Sequence, residues 1–167
     1  MGEKLKFINL NRPKKLSGDI ISDYQLLDYT LSKMLKLKIS ADYLIYLQPT
    51  SPIRKCNHLL KTLKTVIKKN LDGAWSVNKL NNKFHPLKVL IKKNNYLQLF
   101  SKLGKRIVAR QMLSNVYIRN GVFYIFSVKA LKKQKTIYLK KNILVETNYK
   151  NINIDNHEDL KIAKSFF

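Results

Sequence analysis

Glycine is scarce and scattered in this chain, at positions 2, 18, 73, 104 and 121 only, and never clustered. That spacing excludes a glycine-rich phosphate cradle, which needs several glycines in one short loop. Cysteine is represented by Cys56 alone, so no disulfide can close within the chain. Cys56 opens a candidate helix, where a thiolate would be stabilised, but no base neighbours it in sequence and it is read as structural. No apolar run approaches the roughly 18 residues of a membrane-spanning helix. The opening MGEKLKFINL also lacks the apolar segment of a signal peptide, so a cytoplasmic protein without membrane contact is expected. Acidic residues are few, 10 against 33 Lys and Arg, for a formal charge of +23. Such a field attracts polyanions. Only the residues at 12, 54, 106, 110 and 119 are Arg, however, and Lys supplies point charge without the fork that reads phosphates and bases. A basic surface facing a small anionic substrate is therefore favoured over nucleic-acid binding.

What remains is a globular composition, 45% hydrophobic over 167 residues, enough for a single domain with one core. The pattern predicts a short strand over 5–10, then a helix from Asp19 to about Lys38, with Tyr24, Leu27, Leu31 and Met34 at helical spacing and Asp19 or Ser22 as its cap. A strand follows at 43–47, a helix at 57–69 and a strand at 73–80. Asn94-Asn95 reads as the turn of a hairpin, residues 104–119 as a binding loop, and Asn120-Gly121 as a turn before a strong strand at 122–128. A short helix at 129–135, a strand at 143–146 and a terminal helix at 155–167 complete the order. Alternating strands and helices predict an α/β sheet built from right-handed parallel crossovers.

The most informative stretch is YLQPTSPIR, residues 46–54. A hydrophobic strand empties there into a proline-pinned turn carrying Gln48, Thr50, Ser51 and Arg54. In an open α/β sheet ligands bind at that carboxyl edge. A carboxamide, two hydroxyls and a guanidinium suit a polyhydroxylated acid or a base edge, although Ser and Thr beside Pro also simply stabilise turns.

The wording of the chain then carries a resemblance. LQPTSPIR, GAWSV, HPLK, RQ, YIRNGVFYI and INIDNHEDLKIA occur in this order, and together they resemble the acylneuraminate cytidylyltransferases, which activate sialic acids and related nonulosonic sugars. The resemblance implies a Rossmann-like nucleotidyltransferase fold, three-layered with a mainly parallel sheet. It implies a reaction joining CTP to an acidic nine-carbon sugar, giving the CMP-sugar and pyrophosphate with Mg²⁺, commonly in a homodimer whose extension, here around 104–147, reaches the other site. It places Arg12 near the nucleotide, with Asp19 closing the same motif, and Gln48 on the sugar. Lys88 stands where a lysine serves sugar and phosphate, and Arg110 precedes the family's glutamine. Asn120 and Tyr124 fall at positions lining the sugar site, and Tyr138 where an aromatic residue of the dimer extension stands.

Two departures matter. The family's late motif has two aspartates one residue apart, whereas this chain has Asn153 and Asp155. An Asn brings a carbonyl oxygen but no charge, so Mg²⁺ affinity should be lower, with Asp155 the better ligand. The family's first strand and its glycine-rich segment also have no counterpart, so the domain is expected to be N-terminally truncated relative to the family. Catalysis would then need a separately encoded N-terminal piece. The alternatives are a catalytically inactive sugar- or nucleotide-binding remnant or, less favoured, a basic nucleic-acid-associated protein.

Overall fold

The computed structural model describes residues 8–18 and 20–166. Half of the expected strand at 5–10 falls outside that range, and residues 8–10 form no strand. The first regular element after a short 3-10 turn at Lys14–Leu16 is α1, Asp23–Lys36. Ser22 caps it, accepting from the Gln25 N–H while the Gln25 side chain accepts from the Ser22 N–H, two orphan donors satisfied reciprocally.

Strands β1 (Tyr43–Tyr46), β2 (Gly73–Lys79), β5 (Tyr117–Ser127) and β6 (Asn142–Glu146) form one sheet in the order β1-β5-β2-β6. Strand β5 runs antiparallel to both β1 and β2, and β6 runs parallel to β2. The sheet is thus mixed, not mainly parallel. The physical reason lies in the connection: residues 80–116 leave the carboxyl end of β2 and return at that same end, so β5 enters the sheet in reverse. A second, two-stranded sheet lies within this excursion, β3 (Leu90–Lys93) against β4 (Tyr96–Leu99). Its turn uses Asn94 and Asn95 at φ 47° and 65°, the left-handed pair that a tight hairpin demands and Asn tolerates.

Helices cover both faces of the main sheet, giving three layers. In β5 the alternation is direct: Tyr124 and Phe126 pack with Leu27 and Leu31 of α1 and with Ala130 and Leu131 of α3 (Val128–Gln134). Phe123 and Ile125 pack with Val66 of α2 (Cys56–Lys68) on the other face. Val122 joins Phe123 on the α2 side although the two are adjacent, because β5 bulges here. The register jumps from Trp75↔Tyr124 to Val77↔Arg119, leaving extra β5 residues opposite Ser76. Asn120-Gly121 is therefore a bulge inside a continuous strand, not a turn before one. Its φ of 71° at Gly121 is what the glycine supplies. Helix α4, His157–Lys164, closes the described chain behind a second capping box of Asn156 and Asp159.

Candidate functional site at the carboxyl edge of the sheet

The carboxyl ends of β1, β2 and β6 and the bulge of β5 share one edge. Three loops meet there: the turn after β1, the β5 bulge, and residues 147–156 after β6. Ser51, 1% exposed, is their junction. Its hydroxyl donates to the Asn120 carbonyl oxygen at 2.9 Å and lies 3.2 Å from Asn153 Oδ1. Next to it the Ile154 N–H donates to the Thr50 carbonyl at 2.8 Å. A side chain at Gly121 would run into Gln48 Oε1 and Ser51 Oγ, so the glycine also permits this close approach.

Asn120 is buried in the bulge, and its side chain is fully used. Oδ1 accepts from Ser76 Oγ at 2.6 Å and from the Val122 N–H at 3.2 Å. Nδ2 donates to Asn78 Oδ1 at 2.9 Å and to Thr147 Oγ1 at 2.8 Å. Asn78 and Asn151 exchange a reciprocal pair of amide bonds at 2.9 and 3.0 Å. The loop after β6 is thereby fixed to β2.

Tyr124 is 3% exposed, and its hydroxyl accepts from the Gly121 N–H at 2.9 Å. Burial pushes its pKa above the ordinary value of 10.0, so it stays a phenol. Its ring lies beside Trp75 at 5.5 Å and Tyr46 at 6.0 Å. Arg54 turns inward and holds backbone: Nε donates to the Val122 carbonyl at 2.8 Å and Nη2 to that of Gln48. Desolvation lowers its pKa below the ordinary value. Of the polar groups in the turn after β1, Gln48 and Thr50 thus remain nearest to solvent, Gln48 half-buried and Thr50 exposed.

The other candidates fall in separate places. Lys88 and Arg110, both exposed, line one groove of about 410 Å³ between the 3-10 turns Pro86–Lys88 and Arg110–Met112, with Leu99 and Val108 in its wall. His85 sets the first turn by accepting the Leu87 N–H on Nδ1 at 3.2 Å. Gly104 lets a third 3-10 turn, Lys102–Arg106, approach the Leu87 carbonyl, where a Cβ would collide. Among the described residues no hydrogen bond or ion pair joins Lys88 or Arg110 to the Ser51 junction.

Tyr138 is 66% exposed and lies on the α1 face, its ring 5.2 Å from Trp75. With Asp23 and Arg119 it lines a cleft of about 300 Å³. Arg12 is exposed and bonds the Leu16 carbonyl, and Asp19 lies outside the described residues. Asn153 and Asp155 are both exposed at the junction, the Asn153 Nδ2 donating to both Asp155 oxygens at 2.8 and 2.9 Å. The Asp159 carboxylate is taken up by the N–H groups of Asp155 and Asn156 at 3.0 and 3.2 Å. Among the described residues no group of three or more His, Cys, Asp or Glu could hold a metal ion. Cys56 is exposed at the start of α2 and fills no core.

Sequence reasoning did not find Ser76, Asn78, Thr147 and Asn151. These residues touch across separations of up to 73 positions, and the only signal was the density of Asn and Thr at strand ends.

No family model and no curated protein matches the chain. Among solved structures, one described as CMP:2-keto-3-deoxy-manno-octonic acid synthetase complexed with CTP is similar. The TM-score is 0.54 at 14% identity, over 89% of this chain and 68% of that one. The likeness carries the fold: an α/β sheet flanked by helices, of the type on which that synthetase is built. No helix of the described residues is long and apolar enough to cross a membrane.

Proposed function

We propose that this chain is a nucleotidyltransferase domain of the CMP-sugar synthetase type, acting on CTP and an acidic nine-carbon sugar. One observation carries the reading. The turn containing Gln48 and the loop containing Asn153 and Asp155, about a hundred residues apart, are bonded to each other, the Ile154 N–H donating to the Thr50 carbonyl at 2.8 Å, at the carboxyl edge of a sheet whose fold resembles that of a CMP-sugar synthetase, the edge where open α/β sheets take ligands.

In this reading the anomeric hydroxyl oxygen attacks the α-phosphorus, the bond to the bridging oxygen breaks, and pyrophosphate leaves while the hydroxyl proton passes to solvent. Negative charge spreads over the phosphoryl oxygens in the transition state, and Lys88 and Arg110 supply fixed positive charge from one groove. Gln48 offers a carboxamide to sugar hydroxyls, and Arg12 and Tyr138 are assigned to the substrates' outer parts. Asn120 and Tyr124 act by shape, holding the bulge that presents the Gln48 turn. The donor set fits a Mg²⁺ ion in part: Asp155 offers one exposed carboxylate and Asn153 one amide oxygen, with phosphate oxygens completing such sites. When bound, the ion would neutralise phosphoryl charge.

Two partners follow from surfaces. Phe84, Tyr96, Leu97, Phe100, Leu103 and Val108 are each more than half exposed along the excursion after β2, apolar groups on both sides of β4 that a second copy in a homodimer would cover in part. Among the described residues strand β1 is paired on one side only, and its four residues are half-buried, which favours a complementing strand there, assigned in this reading to an N-terminal piece. The inward use of Arg54 and Asn120 favours, as a second reading, a module that binds the sugar or nucleotide without turning it over.

The test is Mg²⁺-dependent pyrophosphate release from CTP with a panel of acidic nine-carbon sugars, by the chain alone and with a complementing N-terminal segment. Release that depends on Lys88 and Arg110 is expected once the sheet is complete. Silence in both cases, with folded protein and calorimetric binding of CTP or sugar, selects the binding module.

A further inference from the structure

The amino edge of the main sheet, opposite the Ser51 junction, has a cavity of its own. It measures about 340 Å³ and lies where the start of β2, the end of β5, helix α3 and the loop before β6 meet. That volume is within the range of small-molecule sites. The seven residues of β2, roughly 20 Å of strand, separate it from the junction.

The floor of the cavity is built across long separations. Asp72 donates its N–H to the Lys141 carbonyl at 2.9 Å, and its own carbonyl accepts the Ser127 N–H at 2.7 Å. One oxygen of its carboxylate accepts from Gln134 Nε2 at 2.9 Å and from the Lys141 N–H at 3.1 Å, while Gln134 Oε1 accepts the Lys140 N–H at 3.0 Å. Three segments are thereby fixed to one another before any ligand arrives, which lowers the ordering cost of binding.

Four lysines stand around this floor, Lys129 and Lys133 from α3 and Lys140 and Lys141 from the loop before β6. Among the described residues none of them is in an ion pair. Lys129 and Lys133 are four apart on one helix, a spacing at which like charges repel. Asp72 is the one acid among the described residues of the lining, so it offsets one of the four charges. The same lining contains neither Arg nor an aromatic side chain, and so lacks the guanidinium fork and the stacking plane that read a base. Lys meets phosphate oxygens as a point charge, whatever else the phosphate carries.

We propose that this cavity is an anion site for a short oligophosphate chain, free or as the tail of a nucleotide. The bonded floor sets the positions of α3 and of the loop before β6, and their lysines close on the chain from two sides. The site is independent of the reaction assigned to the opposite edge, so either assignment can fail without the other.

Calorimetric titration of the whole chain with inorganic tripolyphosphate, in metal-free buffer, tests the proposal. The wild type is compared with Lys133→Gln/Lys140→Gln and with Lys88→Gln/Arg110→Gln, which removes the same charge at the opposite edge; all four side chains are exposed, and an unchanged thermal midpoint checks folding. The first pair should weaken tripolyphosphate binding by about tenfold or more, and the second by no more than about twofold. In the Lys88→Gln/Arg110→Gln background CTP should bind within about threefold of tripolyphosphate, because the phosphate chain alone is held. Absence of binding by the wild type overturns the site, and so do equal losses in the two pairs, which reveal a diffuse field. A CTP preference above about tenfold in that background would instead assign a nucleoside-reading site. Tighter binding of a single-stranded RNA, lost with the same two lysines, would make this edge a nucleic-acid surface. Either result overturns the oligophosphate assignment.

Discussion

The Ser51 junction and the excursion over residues 80–116 lie at the same end of the sheet, yet they are held together in opposite ways. At the junction nearly every polar group has a named partner: Ser76, Asn78, Asn120, Thr147 and Asn151 form one connected network, much of it buried. In the excursion, strands β3 and β4 are almost wholly exposed and large apolar side chains face outward. A two-stranded sheet of this kind is marginal by itself. The contrast separates fixed geometry, where loops converge, from an exposed surface presenting Lys88 and Arg110, which the proposed reading covers with a second copy.

The largest effect should come from breaking the first region. Asn120→Ala removes bonds to Ser76, Asn78 and Thr147 and leaves their polar atoms buried without partners. A loss of about 3 kcal/mol is expected, read as a lower denaturant midpoint with an unchanged slope. A loss below about 1 kcal/mol would mean that the network is replaceable by water and that the contrast is overstated.

The second region should respond in the opposite sense. Leu97, 74% exposed in β4, contributes little to the monomer, so Leu97→Glu is expected to leave stability within about 0.5 kcal/mol. Self-association, followed by light scattering over a dilution series, should weaken by about tenfold or more because a charge enters an apolar interface. An unchanged dimer would remove the second copy as the occupant of this face, and a monomeric wild type would do the same.

How far each region could be read in the sequence follows from the same contrast. Helical spacing of Leu27, Leu31 and Val66 gave α2 to within one residue at each end and α1 with a start four residues too early, and Asn94-Asn95 gave the hairpin, because those signals are local. The direction of β5 was not local: it depends on where a connection of more than thirty residues returns, and an expectation of parallel crossovers therefore missed the mixed sheet. Asn120-Gly121 carries a turn's chemistry, a left-handed glycine beside a short amide, and a bulge uses the same chemistry within a strand. Gln48, Asn120, Asn153 and Asp155 were legible as candidates from their motifs and do meet at one edge. That Arg54 would spend its guanidinium on the carbonyls of Gln48 and Val122 was not legible, since the latter contact spans 68 positions.

The smallest effect tests the link between the junction and the aromatic cluster beneath it. Tyr124→Phe removes one bond, to the Gly121 N–H at 2.9 Å, and should cost about 1 kcal/mol at neutral pH. The pH dependence is the sharper reading. Burial raises the Tyr124 pKa above 10.0 in the folded state, so folding favours the protonated phenol. The associated stability is fully present below pH 10.0 and is lost as pH rises through the higher folded value. The wild type should therefore lose stability on the alkaline side, and the phenylalanine variant should lose less over the same interval. Tyr46 shifts in the same direction, by burial first and then by Asp23, so the slope should be reduced and not abolished. Identical alkaline slopes in the two proteins would show that the Tyr124 hydroxyl is open to water, and with it the bulge that holds Gln48 in place.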